Sequence, residues 1–436
     1  MPTTGETKVR SQKAARLRLT LRRYHATMAL VSKIIGDCPA CGRKDGYGNV
    51  NVSGNTLLRG CLSCSRLDRI PLPDLNKKVL YLDQFFYSHA FRAENPAFKE
   101  VKDKIQQLAY KQLLVAPYCN IHEDETYLWK PEKRELLWRF IKQTSAGHDF
   151  WPEYHVKERQ LHRAFEAFLR GDEPAHHIER DDALPDDLNE WDDYLWIDVG
   201  QFQPDSVAIR SGKSASVSAL LDLFPEWASK LSTFQEDVRS ELRSGAESYL
   251  HLYADYVKRL VEGDMTAMFT SPVDSQIIEK LMYYDSEYLT PALRMQRIRA
   301  FFDSEHYASV PVDRISSEFF ALLRHMLRQG AFLSREKSEK RFKGFFYDVR
   351  FISTYAPYCD AMVVDSLMHR WVTDPLIDLP ARFGTRFFSR NNWHEFLNYL
   401  SEIERSLDSE LERALKLVHP SNAKNPDWTG ILRKMP

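Results

Sequence analysis

The stretch Lys78-Val-Leu-Tyr-Leu-Asp-Gln-Phe-Phe-Tyr-Ser88 decides how this chain is read. Val79 to Leu82 form a short run that is apolar on both faces and rich in strand-favouring residues, as in a buried parallel strand. Asp83 closes that run, and aromatic residues follow it. Near the other end of the chain Ala361-Met-Val-Val-Asp365 repeats the build: an apolar strand stopped by an aspartate. Between Asp83 and Pro117 a helical pattern through Tyr110 leads to a second apolar run, Gln112-Leu-Leu-Val-Ala-Pro117. Strand, helix, strand, helix is the pattern of a parallel sheet with crossover connections. Sites in open parallel sheets form where the strands end at their carboxyl edge.

Further acids and a histidine stand where such an edge would gather them. Asn120-Ile-His-Glu-Asp-Glu-Thr126 opens a helix on which His122 and Glu125 share a face. Glu123 and Asp124 point elsewhere and are accounted for by the dipole of the helix N-terminus. Gly344-Phe-Phe-Tyr-Asp348 opens another helix, and Ala356-Pro-Tyr-Cys-Asp360 turns into the AMVVD strand. A strand at Thr385–Ser389 and helix over Trp393–Leu415 complete the C-terminal part. Carboxylates gathered at one edge repel unless a divalent cation neutralises them, and oxygen-only ligands favour Mg²⁺ or Mn²⁺.

With these residues the chain resembles the PIN-like nuclease superfamily. Its pattern is an aspartate ending the first strand, an acid on the helix after the second, an aspartate on the helix before the fourth, and a last aspartate ending that strand. Asp83, Glu125, Asp348 and Asp365 match these positions, with Asp360 as an auxiliary ligand or a substitute for Asp348. PYCDAMVVD and LVAPYCNIHEDET are the most specific local matches. The resemblance covers residues 77–150 and 340–405 and implies an α/β fold, a three-layer PIN-like parallel sheet. It implies Mg²⁺- or Mn²⁺-dependent hydrolysis of phosphodiester bonds, most readily in single-stranded RNA, with His122 contacting substrate phosphate or capping the site. The departure is an insertion of some 190 residues between the second strand's helix and the third acid.

The six cysteines divide into two pairs and two singles. Cys38-Pro-Ala-Cys41 and Cys61-Leu-Ser-Cys64 have the spacing of a tetrahedral thiolate site, which suits structural Zn²⁺. Cys119 and Cys359 stand alone in apolar contexts. Residues 36–70 are therefore read as a small zinc ribbon that depends on its metal to fold. Ahead of it, residues 1–35 form a basic helical arm with no acid between Glu6 and Asp37, suited to phosphate contact.

The insertion, residues 151–340, begins with a run holding ten acids from Asp172 to Asp193 against Arg180 alone, read as an exposed linker. It contains His176-His177, taken as a solvated pair. Trp196-Ile-Asp-Val199 is expected to add a strand. The remainder has helical spacing, as in Tyr249, Leu252, Tyr253, Tyr256 and Leu260. Arg324, Arg328, Arg335, Lys337, Lys340, Arg341 and Lys343 form a basic run that lines a groove or simply faces solvent. Residues 341–436 return to the sheet and end in helix.

Lys+Arg of 60 against Asp+Glu of 61 leaves no global field, so a nucleic-acid partner needs a local patch. With no apolar run near the roughly 18 residues that span a bilayer, a cytoplasmic protein without a membrane partner is expected; a protein partner or regulator is not identifiable. Two further readings compete: a non-catalytic zinc-ribbon nucleic-acid-binding or sensor scaffold, and a helical ribonuclease using Arg390 and His394.

Overall fold

A computed structural model describes residues 30–92, 96–192, 206–285 and 288–425. The basic arm through residue 29 and the expected strand at Trp196–Val199 lie outside these residues. The first unit is an antiparallel sheet of β1 (Lys33–Gly36), β2 (Tyr47–Ser53), β3 (Thr56–Cys61) and β4 (Leu67–Pro71), paired in chain order. Gly48 cannot be replaced without rebuilding it, because a Cβ there would come within 1.9 Å of the Lys33 carbonyl oxygen.

The second sheet is parallel throughout. It comprises β5 (Lys78–Leu82), β6 (Leu114–Val115), β7 (Ala361–Val363) and β8 (Arg386–Phe388), in spatial order β6-β5-β7-β8. The two aspartate-ended runs are therefore direct neighbours, with Leu82 paired to Val363. The helices that matter here are α1 (Gln84–Arg92), α2 (Pro96–Tyr110), α3 (Asn120–Tyr127), α4 (Pro131–Thr144), α5 (Glu153–Arg170), α6 (Phe234–Val261), α7 (Pro311–Arg328), α8 (Phe345–Tyr355), α9 (Ser366–Val372), α10 (Trp393–Arg405) and α11 (Ser409–Val418). The helix read over Trp393–Leu415 is thus two, broken where Asp408 caps the second.

Alternation along the strands gives the sheet two apolar faces. Leu80, Leu82, Ala361, Val363 and Phe388 lie under α1, α2, α4 and α10. Val79, Tyr81, Met362 and Phe387 lie under α3, α5, α8 and the long helices of the insertion, α6 and α7. This is a three-layer α/β arrangement. The insertion's apolar core is continuous with the sheet's: Tyr81 stacks on Phe351 of α8 at 4.8 Å between ring centroids, and the same cluster runs on to Phe319 and Leu242.

The acidic run from Asp172 to Asp192 is not the exposed linker its charge suggests. Ala183, Leu184, Leu188 and Trp191 within it are buried. Asp182 is buried too and pairs with Arg163 at 3.0 Å. The segment straps the ribbon to the sheet, because Trp191 packs among Val52, Leu57, Leu72 and Leu75 and donates its indole N–H to the Pro73 carbonyl at 2.9 Å. Among the described residues no helix is long and apolar enough to cross a membrane.

Candidate functional site

Two places on the chain concentrate chemistry. In the ribbon, both CxxC turns are shaped by the backbone: Gly42 N–H donates to the Cys38 carbonyl at 2.9 Å, and Gly42 adopts a φ of 69°, which favours glycine. Cys61 N–H donates to the Arg66 carbonyl at 3.2 Å, closing the second turn. The four sulfurs lie within 4.8 Å of one another, close enough to hold one metal ion. Cys38 to Cys64 and Cys41 to Cys61 are both 3.7 Å apart. A tetrahedron with metal–sulfur bonds of about 2.3 Å has edges of about 3.8 Å, and a disulfide would require about 2.05 Å. The spacing therefore fits a thiolate-bound ion and not a bond. Ser63 N–H donates to Cys61 Sγ at 3.3 Å, the kind of contact that holds a ligand thiolate in place.

The second place is the carboxyl edge of the parallel sheet. Asp83 directly follows β5, and its N–H donates to the Val363 carbonyl at 3.1 Å, which continues the ladder. The residue is only 7% exposed. Burial pushes its carboxyl well above the usual carboxylate range, and the charges of Glu125 and Asp365 push it further. Three acids from β5, α3 and the end of β7 therefore face one another electrostatically. Asp365 is also the N-cap of α9: its Oδ1 accepts from the Leu367 and Met368 N–H groups, each at 2.7 Å. The cap leaves Oδ2 for other partners. The acids are more loosely grouped than the thiols, because among the described residues the four cysteines alone bring their ligand atoms within 4.8 Å of one another.

The other candidates fall out differently. Asp348 sits in the first turn of α8, and its carboxylate turns back to within 3.3 Å of where a Cβ on Gly344 would sit. Its neighbour Tyr347 feels the charges of Asp124 and Glu125, so α8 closes one side of the acidic edge. Asp360 does not belong to the site. It precedes β7, at the amino edge of the sheet, where it accepts from Val79 N–H at 2.9 Å and pairs with Lys78 at 3.1 Å and Arg180 at 2.9 Å. Its role is to tie three segments together at the end of the sheet away from Asp83.

His122 is also a structural residue. It is 1% exposed, with Nδ1 accepting from Cys119 N–H at 2.9 Å and Nε2 donating to the Leu82 carbonyl at 2.8 Å. Those two backbone partners set its tautomer, leave no nitrogen for a phosphate, and lock α3 to the residue before Asp83. Burial lowers its pKa to about 4, so it is neutral. The basic run is dispersed as well. Arg328 pairs with Asp237 at 2.7 Å, and Arg324 pairs with Asp237 and Glu241, so both serve the contact of α6 and α7. Arg335 pairs with Asp222 at 2.8 Å, and Lys340 with Glu336 at 2.7 Å. Arg390 and His394 form no joint site: the first lies over the Phe98 ring and the second bonds Asn398.

Sequence reasoning missed Gln84 and Thr126. Both are buried between α1 and α3, and Gln84 Nε2 donates to Thr126 Oγ1 at 3.2 Å. Their positions beside Asp83 and Glu125 were the available signal. Compared with protein-family models, curated proteins and solved structures, this chain matches none.

Proposed function

We propose that this chain is a metal-dependent nuclease that hydrolyses phosphodiester bonds, most readily in single-stranded RNA, at the carboxyl edge of its parallel sheet. The observation that carries the reading is Asp83, buried at the end of β5 and facing the charges of Glu125 and Asp365. A buried acid beside two more is costly unless a cation is shared among them. All the donors there are oxygens, which fits Mg²⁺ or Mn²⁺. Bound there, such an ion would supply Lewis-acid charge to activate a water and to offset charge on the phosphate.

The residues divide the work by their surroundings. Asp83 is held by the sheet and would be the central ligand. Asp365 is oriented by its helix cap and offers Oδ2. Glu125 comes from α3, which His122 fixes against the strand end. Asp348 on α8 would serve a second ion or a water. The resemblance to PIN-like nucleases supplies the substrate class. The four cysteines would hold a structural Zn²⁺, since four thiolates leave no open coordination position for catalysis.

Labelled single-stranded RNA incubated with purified protein and Mn²⁺ tests this. Wild type should cut, and an Asp83→Asn/Asp365→Asn double variant should lose at least a hundredfold in rate. Equal cleavage by the two proteins, or none by wild type, would leave the scaffold reading in its place.

A further inference from the structure

Gln84 directly follows Asp83 and begins α1. A glutamine at a helix start normally reaches into water at no cost, yet this one is 7% exposed. Its Nε2 donates to Oγ1 of Thr126, which is fully buried and adjoins Glu125 in the chain. The carboxamide therefore sits between the two elements that carry Asp83 and Glu125. Its other polar atom, Oε1, is buried with no hydrogen-bond partner among the described residues. An unpaired buried oxygen costs about 1–3 kcal/mol, and native proteins keep few of them. The cost calls for a partner that the described residues do not supply.

One candidate partner is a water. The hydroxyl of Tyr87, one turn along α1 and fully buried, also has no hydrogen-bond partner among the described residues, and a single water could serve both groups. That role would have nothing to do with a cation. The second candidate is the ion proposed for the neighbouring acids. Hard cations take carbonyl oxygens as readily as carboxylates. Three carboxylates already exceed the charge of a divalent ion, so a neutral oxygen completes the coordination without a fourth repelling charge.

We propose that Gln84 Oε1 is a neutral oxygen donor to a divalent cation shared by Asp83, Glu125 and Asp365, directly or through a cation-bound water. The inference rests on the nuclease reading's cation site and adds to it a residue outside the family's acidic pattern. It makes Gln84 a residue that sets affinity for the ion, with Thr126 as the group that orients it.

The test is Mn²⁺ binding to the full chain with its cysteine site loaded, followed by the electron-paramagnetic signal of free Mn²⁺, with melting temperatures in chelator and in Mn²⁺. Gln84→Leu should weaken Mn²⁺ binding about tenfold, the range seen when residues supporting a metal site are removed, and should shrink the Mn²⁺-induced rise in melting temperature. Gln84→Glu should melt lower than wild type in chelator, with a fourth acid at the edge, yet bind Mn²⁺ at least as tightly. If Gln84→Leu binds Mn²⁺ as wild type does, the proposal is overturned and the buried-water role stands. Should Gln84→Leu fail to fold, weaker binding by Gln84→Glu overturns it equally. Absence of Mn²⁺ binding by wild type would remove the acidic site itself, an outcome distinct from a defect confined to the Gln84 variants.

Discussion

Asp83 carries opposite consequences for stability and for the proposed activity. Its carboxyl titrates well above the usual range because burial and two neighbouring acids oppose its ionisation. Below the ordinary aspartate pKa the group is neutral in both folded and unfolded chains, and no penalty arises. As pH rises through that range the unfolded chain ionises first, so folding loses stability toward neutral pH. Asp83→Asn should therefore raise the melting temperature by a few degrees at pH 7 in chelator and by little at pH 4, while abolishing cleavage. A variant that melts lower at pH 7 would show that Asp83 serves packing. His122 runs the other way. Its pKa is lowered to about 4 from 6.5, so its contribution is present above 6.5 and lost as pH falls toward 4. His122→Ala should cost about 2–4 kcal/mol by removing two buried hydrogen bonds, read as a shift in denaturant midpoint. Because the imidazole stays neutral, no limb of the activity profile near pH 6.5 should vanish when His122 is replaced by Asn. His122 also shows where local spacing misleads. Residues three apart on a helix satisfy a ligand face and a capping box alike, and only the Leu82 carbonyl at 2.8 Å separates them.

The acidic strap is an element whose charge hides its packing. His148, on the far side of α5 in the chain, bonds Asp186 at 2.7 Å and Asp192 at 3.2 Å within it, and Asp192 also pairs with Lys77 at the entrance to β5. Burial opposes charge on His148, but the two acids more than reverse this and raise its pKa to about 9 from 6.5. The strap's contribution is then complete below pH 6.5 and lost as pH climbs through 9. Thermal melts at pH 6, 7.5 and 9 should show wild type losing stability over that interval and His148→Gln losing much less. Parallel slopes would dismiss the clamp. Composition alone could not reveal it, since ten acids against a single arginine describe a solvated linker equally well. The buried positions, Leu184, Leu188 and Trp191, were legible only as scattered apolar residues. Asp360 is a different kind of error. It lies before its strand, and in a parallel sheet an acid before one strand faces away from an acid after its neighbour. Chain direction was enough to exclude it.

At the scale of the whole molecule the ribbon is a structural brace. Asn49 Nδ2 donates to the Leu417 and Val418 carbonyls at 3.0 and 3.1 Å, and Arg59 donates to Leu417 at 3.1 Å. These bonds satisfy the last carbonyls of α11, which have no partner inside their own helix. Ile34 also pairs with Lys424, and Ala414 and Val418 join the ribbon's apolar cluster. A ribbon this small would depend on the Zn²⁺ proposed for its four cysteines. Chelation, or Cys38→Ser with Cys64→Ser, should release one Zn²⁺ per chain by elemental analysis and expose the segment around residues 405–425 to protease. Unchanged protection there would mean that the ribbon folds without metal.

Local physics was sufficient for the parts that are written locally. The CxxC spacing, the apolar runs ending at Asp83 and Asp365, and the helix carrying Glu125 each need only neighbours in the chain to be recognised. What the tertiary structure alone decided are the contacts between distant segments. These include the pairing that sets β5 beside β7, the insertion sharing the sheet's core, and Arg324 and Arg328 turning inward to Asp237. They also include the burial of Gln84 between two helices. Side chains of one chemistry serve solvent, packing or a ligand according to what faces them, and the facing residue is seldom near in sequence.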